Sequence, residues 1–253
     1  MRVELTNPGK VLYPRVGFTK ADVVAYYRAV APRILPHLRD RPLTLRVFPD
    51  GVEGPNWYQE NCRGPAWLRT HESRGFRHCV VDDEESLVWV ANRASLELHP
   101  YLWRVDDPER PTEVVFDLDP GDGATVIDCA RVALAIRERV GDCWVKTSGS
   151  LGLHVLAPGR GRTFDEAKAW VREAVAGIPD VVTVQKREAR RGKVLVDWLQ
   201  NDATRSTVAA YSLRALPWPT VSTPVTWDEV EAAREPHDLF FTAGEAVRRA
   251  IGG

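Results

Sequence analysis

From Glu113 to Pro120 the chain reads EVVFDLDP. An apolar run of this length closed by a Pro-Gly turn is a buried β-strand. In a strand, residues i and i+2 share a face. Asp117 and Asp119 are thereby committed to one side and Phe116 and Leu118 to the other. Two like charges on a mostly buried strand need a counter-ion, a shared proton or solvent. Such a pair is more often a strand end whose carboxylates cap a turn than a pair of ligands for a hard divalent cation.

A third acid sharpens the second alternative. KVLVDWLQN places Asp197 at the end of another apolar run, beside Val196 and Trp198, where an aspartate is rarely needed for solubility. Two carboxylates on one strand and one on a neighbour could hold two metal ions, an arrangement that clamps attacking and leaving oxygens in phosphoryl transfer. KTSGSLGLHV puts Ser148, Gly149, Ser150 and Gly152 in a tight turn with His154 opening the next strand. It is either a hairpin with a polar tip or a cradle whose backbone N–H groups approach phosphate oxygens. It is not a Walker A loop. QKREARRGK packs five basic residues between Lys186 and Lys193 and leads into the strand bearing Asp197. It is a solvated loop or a polyphosphate grip. Trp57 and Tyr58 stand in a Gly/Pro/Asn-rich stretch over residues 49–66 that reads as loop; they anchor it or offer a stacking platform for bases.

Around these motifs the pattern predicts a helix over FTKADVVAYYRAVAPRILPHL, capped by Thr19 with Asp22 completing a capping box. Strands follow at RPLTLRVFP, FRHCVVDD and LELHPYLWRV, with a short helix at EESLVWVANRAS. Beyond EVVFDLDP come a periodic helix, two strands around the Gly/Ser turn, a second helix, strands at DVVTVQ, KVLVDWL and STVAAYSLRA, and two terminal helices. The mixture with hairpin-length links predicts an α+β or mixed α/β fold with a partly antiparallel sheet. The 253 residues suffice for a sizeable core, and a formal net charge of −1 gives no global field for nucleic acid. Only six of the 34 Lys and Arg residues are lysines, which suits phosphate recognition or merely reflects coding bias. Cys62, Cys79, Cys129 and Cys143 form no CxxC pair and are expected as buried free thiols of a reducing cytosol. No membrane span or signal peptide is expected.

In order, the motifs resemble the archaeo-eukaryotic primase superfamily. LTNPGKVLYP, FTKADVVAYY, LPHLRDRPLTLR, FDLDPG, KTSGSLGLH, GKVLVDWLQN, AAYSLRA and TVSTPVTWDEV are similar nearly throughout to the polymerase domain of bacterial DNA ligase D and its stand-alone relatives. The resemblance implies a primase-like catalytic core of two interlocked lobes, about 1–110 and 111–225, followed by C-terminal helices over 226–253. It implies an RNA-recognition-like sheet in the C-terminal lobe. It further implies a template-directed nucleotidyltransferase of non-homologous end joining, preferring ribonucleotides and using two Mn2+ or Mg2+ ions. Asp117, Asp119 and Asp197 would be the metal ligands. Arg46, His99, Ser148, His154, Arg190, Gln200 and Arg214 would contact the nucleotide. Lys10 and Lys20 would bind the 5′-phosphate across a DNA gap, the latter at a helix N-terminus whose N–H groups suit an anion. Trp57 and Tyr58 would stack on template bases. Ku and an ATP-dependent ligase would be partners, in the cytoplasm at the nucleoid.

The chain departs from those relatives at Leu151, where a lysine is common, at Val47, in place of a basic residue, and in a shortened segment from Arg63 to Phe76. No KxDG ligase nucleophile is present, so a stand-alone enzyme or an excised domain is expected. The alternatives are a primase that starts chains de novo, a non-catalytic DNA-end-binding module using the same basic loops, and a two-metal nuclease.

Overall fold

The computed structural model describes residues 3–252. A short pair, β1 (Val11–Tyr13) and β2 (Phe18–Thr19), leads into α1 (Lys20–Leu38) and β3 (Pro42–Val47). Then come β4 (Trp57–Gln59), β5 (Thr70–Ser73), β6 (Phe76–Val80), α2 (Glu84–Asn92) and β7 (Ser95–Pro100). The middle of the chain forms β8 (Glu113–Pro120), α3 (Val126–Val140), β9 (Trp144–Thr147), β10 (Leu153–Pro158) and α4 (Phe164–Val175). Last are β11 (Val181–Val182), β12 (Val194–Val196), β13 (Leu213–Ala215), β14 (Pro219–Val221), β15 (Pro224–Val225), α5 (Trp227–Ala232) and α6 (Ala243–Gly252). The expected capping box of α1 is present, Asp22 N–H donating to Thr19 and Thr19 N–H to Asp22. The same device starts α2, α3, α4 and α5, which gives those helices well-defined N-termini.

The chain divides into two compact units. The first comprises residues 1–101, 206–222 and 241–253. At its centre β3 pairs antiparallel with β7 along one edge and with β6 and β4 along the other. Leu43, Leu45 and Val47 of β3 alternate with Thr44 and Arg46, so one face of the strand is apolar and the other polar. The apolar side chains join Val23, Tyr27, Val30 and Ile34 of α1 and Leu87 and Val90 of α2 in the core. Tyr27 ties helix to sheet, its hydroxyl donating to Leu96 O at 2.6 Å and accepting from Leu213 N–H at 3.2 Å.

The second unit comprises residues 102–205 and 223–240. Its six-stranded sheet runs β11-β12-β8-β10-β9-β15, antiparallel except for the β11–β12 pair. The mixed α/β architecture expected from the sequence is thus observed. Helices α3 and α4 both contact β8, and the Phe116 ring meets Trp170 of α4 edge-on at 5.5 Å. Phe116 and Leu118 therefore face the helices, and Asp117 and Asp119 project from the opposite side. β12 pairs with β8 over Leu118 to Pro120, leaving Val115 beyond its end. Asn201 fills that gap: its amide accepts from Val115 N–H at 2.8 Å and donates to Val115 O at 2.7 Å.

Three local expectations need correcting. Residues 49–66 are not all loop, because Trp57 to Gln59 pair with β3 as a strand. The STVAAYSLRA strand contracts to Leu213–Ala215. Cys62 and Cys79 are not free thiols; they form a disulfide across a Cα–Cα distance of 5.0 Å. The pairing has a backbone cause. Cys62 N–H donates to Arg77 O and Arg77 N–H to the Asn61 side chain, which lays Cys62 beside β6. Cys129 and Cys143 are free.

Asn201→Ala should lower stability by roughly 2–4 kcal/mol, since it strands two buried backbone groups on β8 as well as losing the amide. Urea unfolding followed by circular dichroism should show a lower midpoint with an unchanged slope. A loss below about 1 kcal/mol would mean that water satisfies Val115 instead.

Candidate active site

The register of the second unit's sheet assembles a row of polar side chains on the face away from the helices. Asp197 follows β12 directly, and its N–H donates to Asp117 O at 2.8 Å, continuing the β12–β8 pairing. On the other side of β8, Asp117 is the register partner of His154, which is the partner of Lys146 on β9. The row is therefore Asp197, Asp117, His154, Lys146. All four are buried. His154 Nε2 lies 3.2 Å from Asp117 Oδ1, and His154 Nδ1 lies 3.0 Å from Lys146 Nζ. An ammonium only donates, so Nδ1 accepts and the ring hydrogen sits on Nε2, aimed at Asp117. Burial pushes the Asp197 carboxyl above the ordinary aspartate range, with Asp117 adding to the rise; the Leu199 N–H and the charges of Arg205 and Arg190 oppose it. Arg205 Nη1 stands 3.9 Å from Asp197 Oδ2. Asp119 shares the face two residues along β8 but is exposed.

The Gly/Ser turn and the basic loop close the Asp119 end of this sheet. Ser148 Oγ accepts from Ser150 N–H at 3.2 Å and Gly152 N–H at 3.1 Å. Two amides expected to cradle phosphate are thus occupied within the turn, because a serine hydroxyl outcompetes water for nearby N–H groups. Gly152 is dictated by space: a Cβ there would stand 1.9 Å from Leu118 O. Leu151 projects from the tip, 70% exposed. The basic loop docks just past β8, with Gly121 N–H on Lys193 O and Gly192 N–H on Asp122 O, both at 2.8 Å. A Cβ on Gly121 would meet Arg190 O at 1.9 Å, so this close approach also requires glycine. Arg190 Nη2 donates to Gln185 O, while its buried Nε has no hydrogen-bond partner. Gln200 ends a turn of 3-10 helix begun at Asp197, its N–H reaching Asp197 O at 3.4 Å.

The remaining nucleotide candidates lie in the first unit, on the polar face of β3. Arg46 is the register partner of Tyr58 on β4 and of Glu97 on β7, and Thr44 is the partner of His99. Glu97, which the sequence reading passed over, holds the group together. Its Oε1 accepts from Arg46 Nη1 at 3.2 Å and from Ala215 N–H at 3.0 Å, and it forms an ion pair with Arg214 Nε at 3.4 Å. Its Oε2 meets His99 Nε2 at 2.9 Å. Burial alone would raise the Glu97 pKa, but the His99 hydrogen bond, Arg214 and Ala215 N–H together bring it down to about 2. Tyr58 meets His99 edge-on, and the Arg46 guanidinium lies over the Tyr58 ring at 5.3 Å. Strand alternation sends Trp57 to the opposite face. The two aromatics are exposed, 47% and 60%, but they do not form one platform.

Lys10 and Lys20 are brought together by a backbone hydrogen bond, Lys20 N–H to Lys10 O at 2.8 Å. Burial, then Lys10 and Arg93, push the Lys20 ammonium below the ordinary lysine range. The α1 N-terminus is not the anion site expected: the N–H groups of Lys20, Ala21 and Asp22 go to Lys10 O, Pro8 O and the Thr19 hydroxyl. The Lys10 ammonium pairs with Asp50 at 2.7 Å. Lys146, Arg205 and Glu97 are the residues that sequence reasoning missed. For Glu97 a signal existed, an acid inside the apolar LELHP, the same pattern that exposed Asp197.

A mixed sheet with aspartates on its open face, a His/Ser hairpin beside them and a docked arginine loop is an arrangement with the donor chemistry that carboxylate-based phosphoryl transfer uses. Residues 19–251 match the family described as LigD, primase-polymerase domain, and the chain belongs to that family. It is 39% identical over 248 residues to the multifunctional non-homologous end joining protein LigD of Mycolicibacterium smegmatis, covering 90% of this chain and 32% of the relative. To the corresponding DNA repair protein of Mycobacterium tuberculosis H37Rv it is 38% identical over 255 residues, covering 91% and 34%. The chain thus spans about a third of the length of these relatives. The structure is similar to that of the polymerase domain of Mycobacterium tuberculosis Ligase D in complex with DNA, with a TM-score of 0.87 and 34% identity over 99% of this chain and 95% of that one.

Because folding favours ionised Glu97, its contribution of about 3 kcal/mol is complete above the ordinary glutamate range near pH 4.5 and disappears as the pH falls towards about 2. Thermal unfolding should therefore show an acid-labile component across that window. Glu97→Gln, less stable at neutral pH, should lack it, so the two stability curves converge as the pH falls. Parallel curves would place the acid sensitivity elsewhere.

Proposed function

We propose that the chain is one catalytic domain spanning residues 1–253, a template-directed nucleotidyltransferase that extends primer ends at DNA breaks or gaps. The observation that carries this reading is the Asp197–Asp117–His154 row, with Asp119 beside it, on the helix-free face of the sheet. Three aspartates offer hard oxygen donors of the kind that Mg2+ and Mn2+ take. Among the described residues, no three His, Cys, Asp or Glu side chains are drawn together as a ready-made metal cage. Mg2+ ordinarily takes one or two carboxylates together with water and substrate phosphates, so a complete protein cage is not required. The raised pKa of Asp197 marks carboxylate charge held under burial and repulsion, which a divalent cation relieves.

In this reading Asp117, Asp119 and Asp197 hold two Mn2+ or Mg2+ ions. When bound, the ions would activate the primer 3′-oxygen and neutralise the triphosphate and leaving pyrophosphate. His154 and Ser148 contact the triphosphate at the Gly/Ser turn, whose shape the Ser148 oxygen holds by accepting from Ser150 and Gly152 N–H. The unpartnered Arg190 Nε fits an incoming anion. Gln200 completes that set; Arg46, His99 and Arg214 contact the nucleotide, with ribonucleotides preferred. Tyr58 and Trp57 contact template bases separately, since they occupy opposite faces. Lys10 and Lys20 bind a downstream 5′-phosphate. Ku and an ATP-dependent ligase are the partners, and the nucleoid is the place of action; among the described residues no helix is long and apolar enough to cross a membrane.

Primer extension on gapped DNA, with NTP or dNTP and Mn2+ or Mg2+, tests the whole reading. Primer consumption would indicate a nuclease, and no change in primer length a binding module. Asp197→Asn removes the charge yet keeps the oxygen that accepts from Leu199 N–H at 3.0 Å. It should abolish extension while leaving the unfolding midpoint unchanged or raised, because repulsion with Asp117 is relieved. Near-normal extension by this variant would refute the metal assignment.

Replacing both Lys10 and Lys20 by alanine should leave extension on open templates intact and remove the preference for a 5′-phosphorylated gap. Equal wild-type affinity for phosphorylated and hydroxyl-ended gaps would remove end recognition and favour the primase alternative.

A further inference from the structure

Glu97, on β7 beside Arg46 of β3, has a side chain only 2% exposed. A carboxylate has about four lone-pair positions. Arg46, Ala215 N–H and His99 supply three donors to it, and Arg214 Nε pairs with it electrostatically at 3.4 Å. Buried and enclosed by these four groups, it offers no face to a ligand, so Glu97 acts through its neighbours or only on stability.

Its hold on His99 has a chemical consequence. Burial, joined by the charges of Arg214 and Arg46, pushes the His99 imidazole below the ordinary histidine range against the pull of Glu97, so the ring is neutral at neutral pH. A neutral ring carries one N–H, and an ionised carboxylate can only accept. The 2.9 Å contact therefore places the hydrogen on Nε2. Nδ1 is left as an acceptor. Around it, the guanidiniums of Arg46 and Arg214 set against one carboxylate leave one net positive charge on this face.

We infer that Glu97 is a positioning residue for nucleotide binding: it fixes His99 as an Nδ1 acceptor and holds both arginines where they face an anion. The ligand this polarity suits is an anion that also carries an O–H or N–H donor, as a nucleoside triphosphate does. The inference rests on the nucleotidyl-transfer reading for the identity of that ligand, but its first readout does not.

That readout is the imidazole 15N spectrum of His99 in the metal-free, ligand-free protein, assigned by the signals lost in His99→Asn. The wild type should show the Nε2–H tautomer. In Glu97→Gln, whose amide can donate as well as accept, the tautomer should become mixed. The KM for the nucleotide should rise at least about tenfold, as expected for losing hydrogen bonds to a charged group. The kcat should fall by less, and DNA affinity should stay within about twofold. Glu97→Asp keeps the charge but withdraws it by one methylene, and it should raise KM without the acid-stability change of the glutamine variant. If Glu97→Gln does not fold, the wild-type spectrum and Glu97→Asp still decide. An Nδ1–H or doubly protonated His99 in the wild type overturns the inference, as does a wild-type KM in either folded variant. A protein that extends no primer fails the functional reading alone, since calorimetry of triphosphate binding to wild type and variant still tests Glu97.

Discussion

The hydrogen bond from Asp197 N–H to Asp117 O fixes the register on which the acidic face depends. Strand side chains alternate, so a slip of one residue between β12 and β8 would turn Asp197 to the helix side and Val196 to the open side. The apolar partners oppose such a slip. Phe116 and Leu118 must meet α3 and α4, and Asn201 can clasp Val115 only in this pairing. Hydrophobic burial on one face thus holds two aspartates together on the other, against their mutual repulsion. His154, Lys146 and Arg205 moderate that repulsion from the flanks of the row.

The same division of labour recurs on β3. Leu43, Leu45 and Val47 anchor the strand to α1 and α2, and the intervening Thr44 and Arg46 are committed to the polar face with Glu97 and His99. Each polar cluster is therefore a by-product of a core: the apolar half of the alternation sets which residues meet across strands. Where the chain runs too close for a side chain, as at Gly121 and Gly152, the loop beside the cluster can pack only with glycine. The basic loop and the Ser148 turn owe their positions to those two residues.

Much of this was legible because it follows from short-range pattern. EVVFDLDP predicted β8 residue for residue, and Thr19 followed by Asp22 marked the start of α1. The shared face of Asp117 and Asp119 needed only period two. What was not legible depends on partners far along the chain. β4 is three residues long and is a strand only because β3 accepts it. Cys62 and Cys79 meet because β6 carries the second cysteine back past the first, which spacing alone does not reveal. The α1 N-terminus looked open, yet carbonyls from residues 8 and 10 fold back onto it. A sequence shows which groups could bind an anion, not which are already satisfied.

Satisfaction also explains why the two buried histidines differ in what they present. Both carry hydrogen on Nε2, but for opposite reasons. Lys146, a donor, takes the lone pair of His154 Nδ1 and leaves Nε2–H directed at Asp117. Glu97, an acceptor, takes the Nε2–H of His99 and leaves a lone pair on Nδ1. A charged neighbour of either sign can set a neutral imidazole's polarity, provided that burial keeps water from supplying the alternative. Lysine, glutamate and both histidines are buried, so neither arrangement is exchanged by solvent. Hydrogen-bond direction is in each case decided by the residue behind the histidine, on a neighbouring strand for His154 and two residues back on the same strand for His99. The identity of a histidine is therefore an incomplete description of what it offers a ligand.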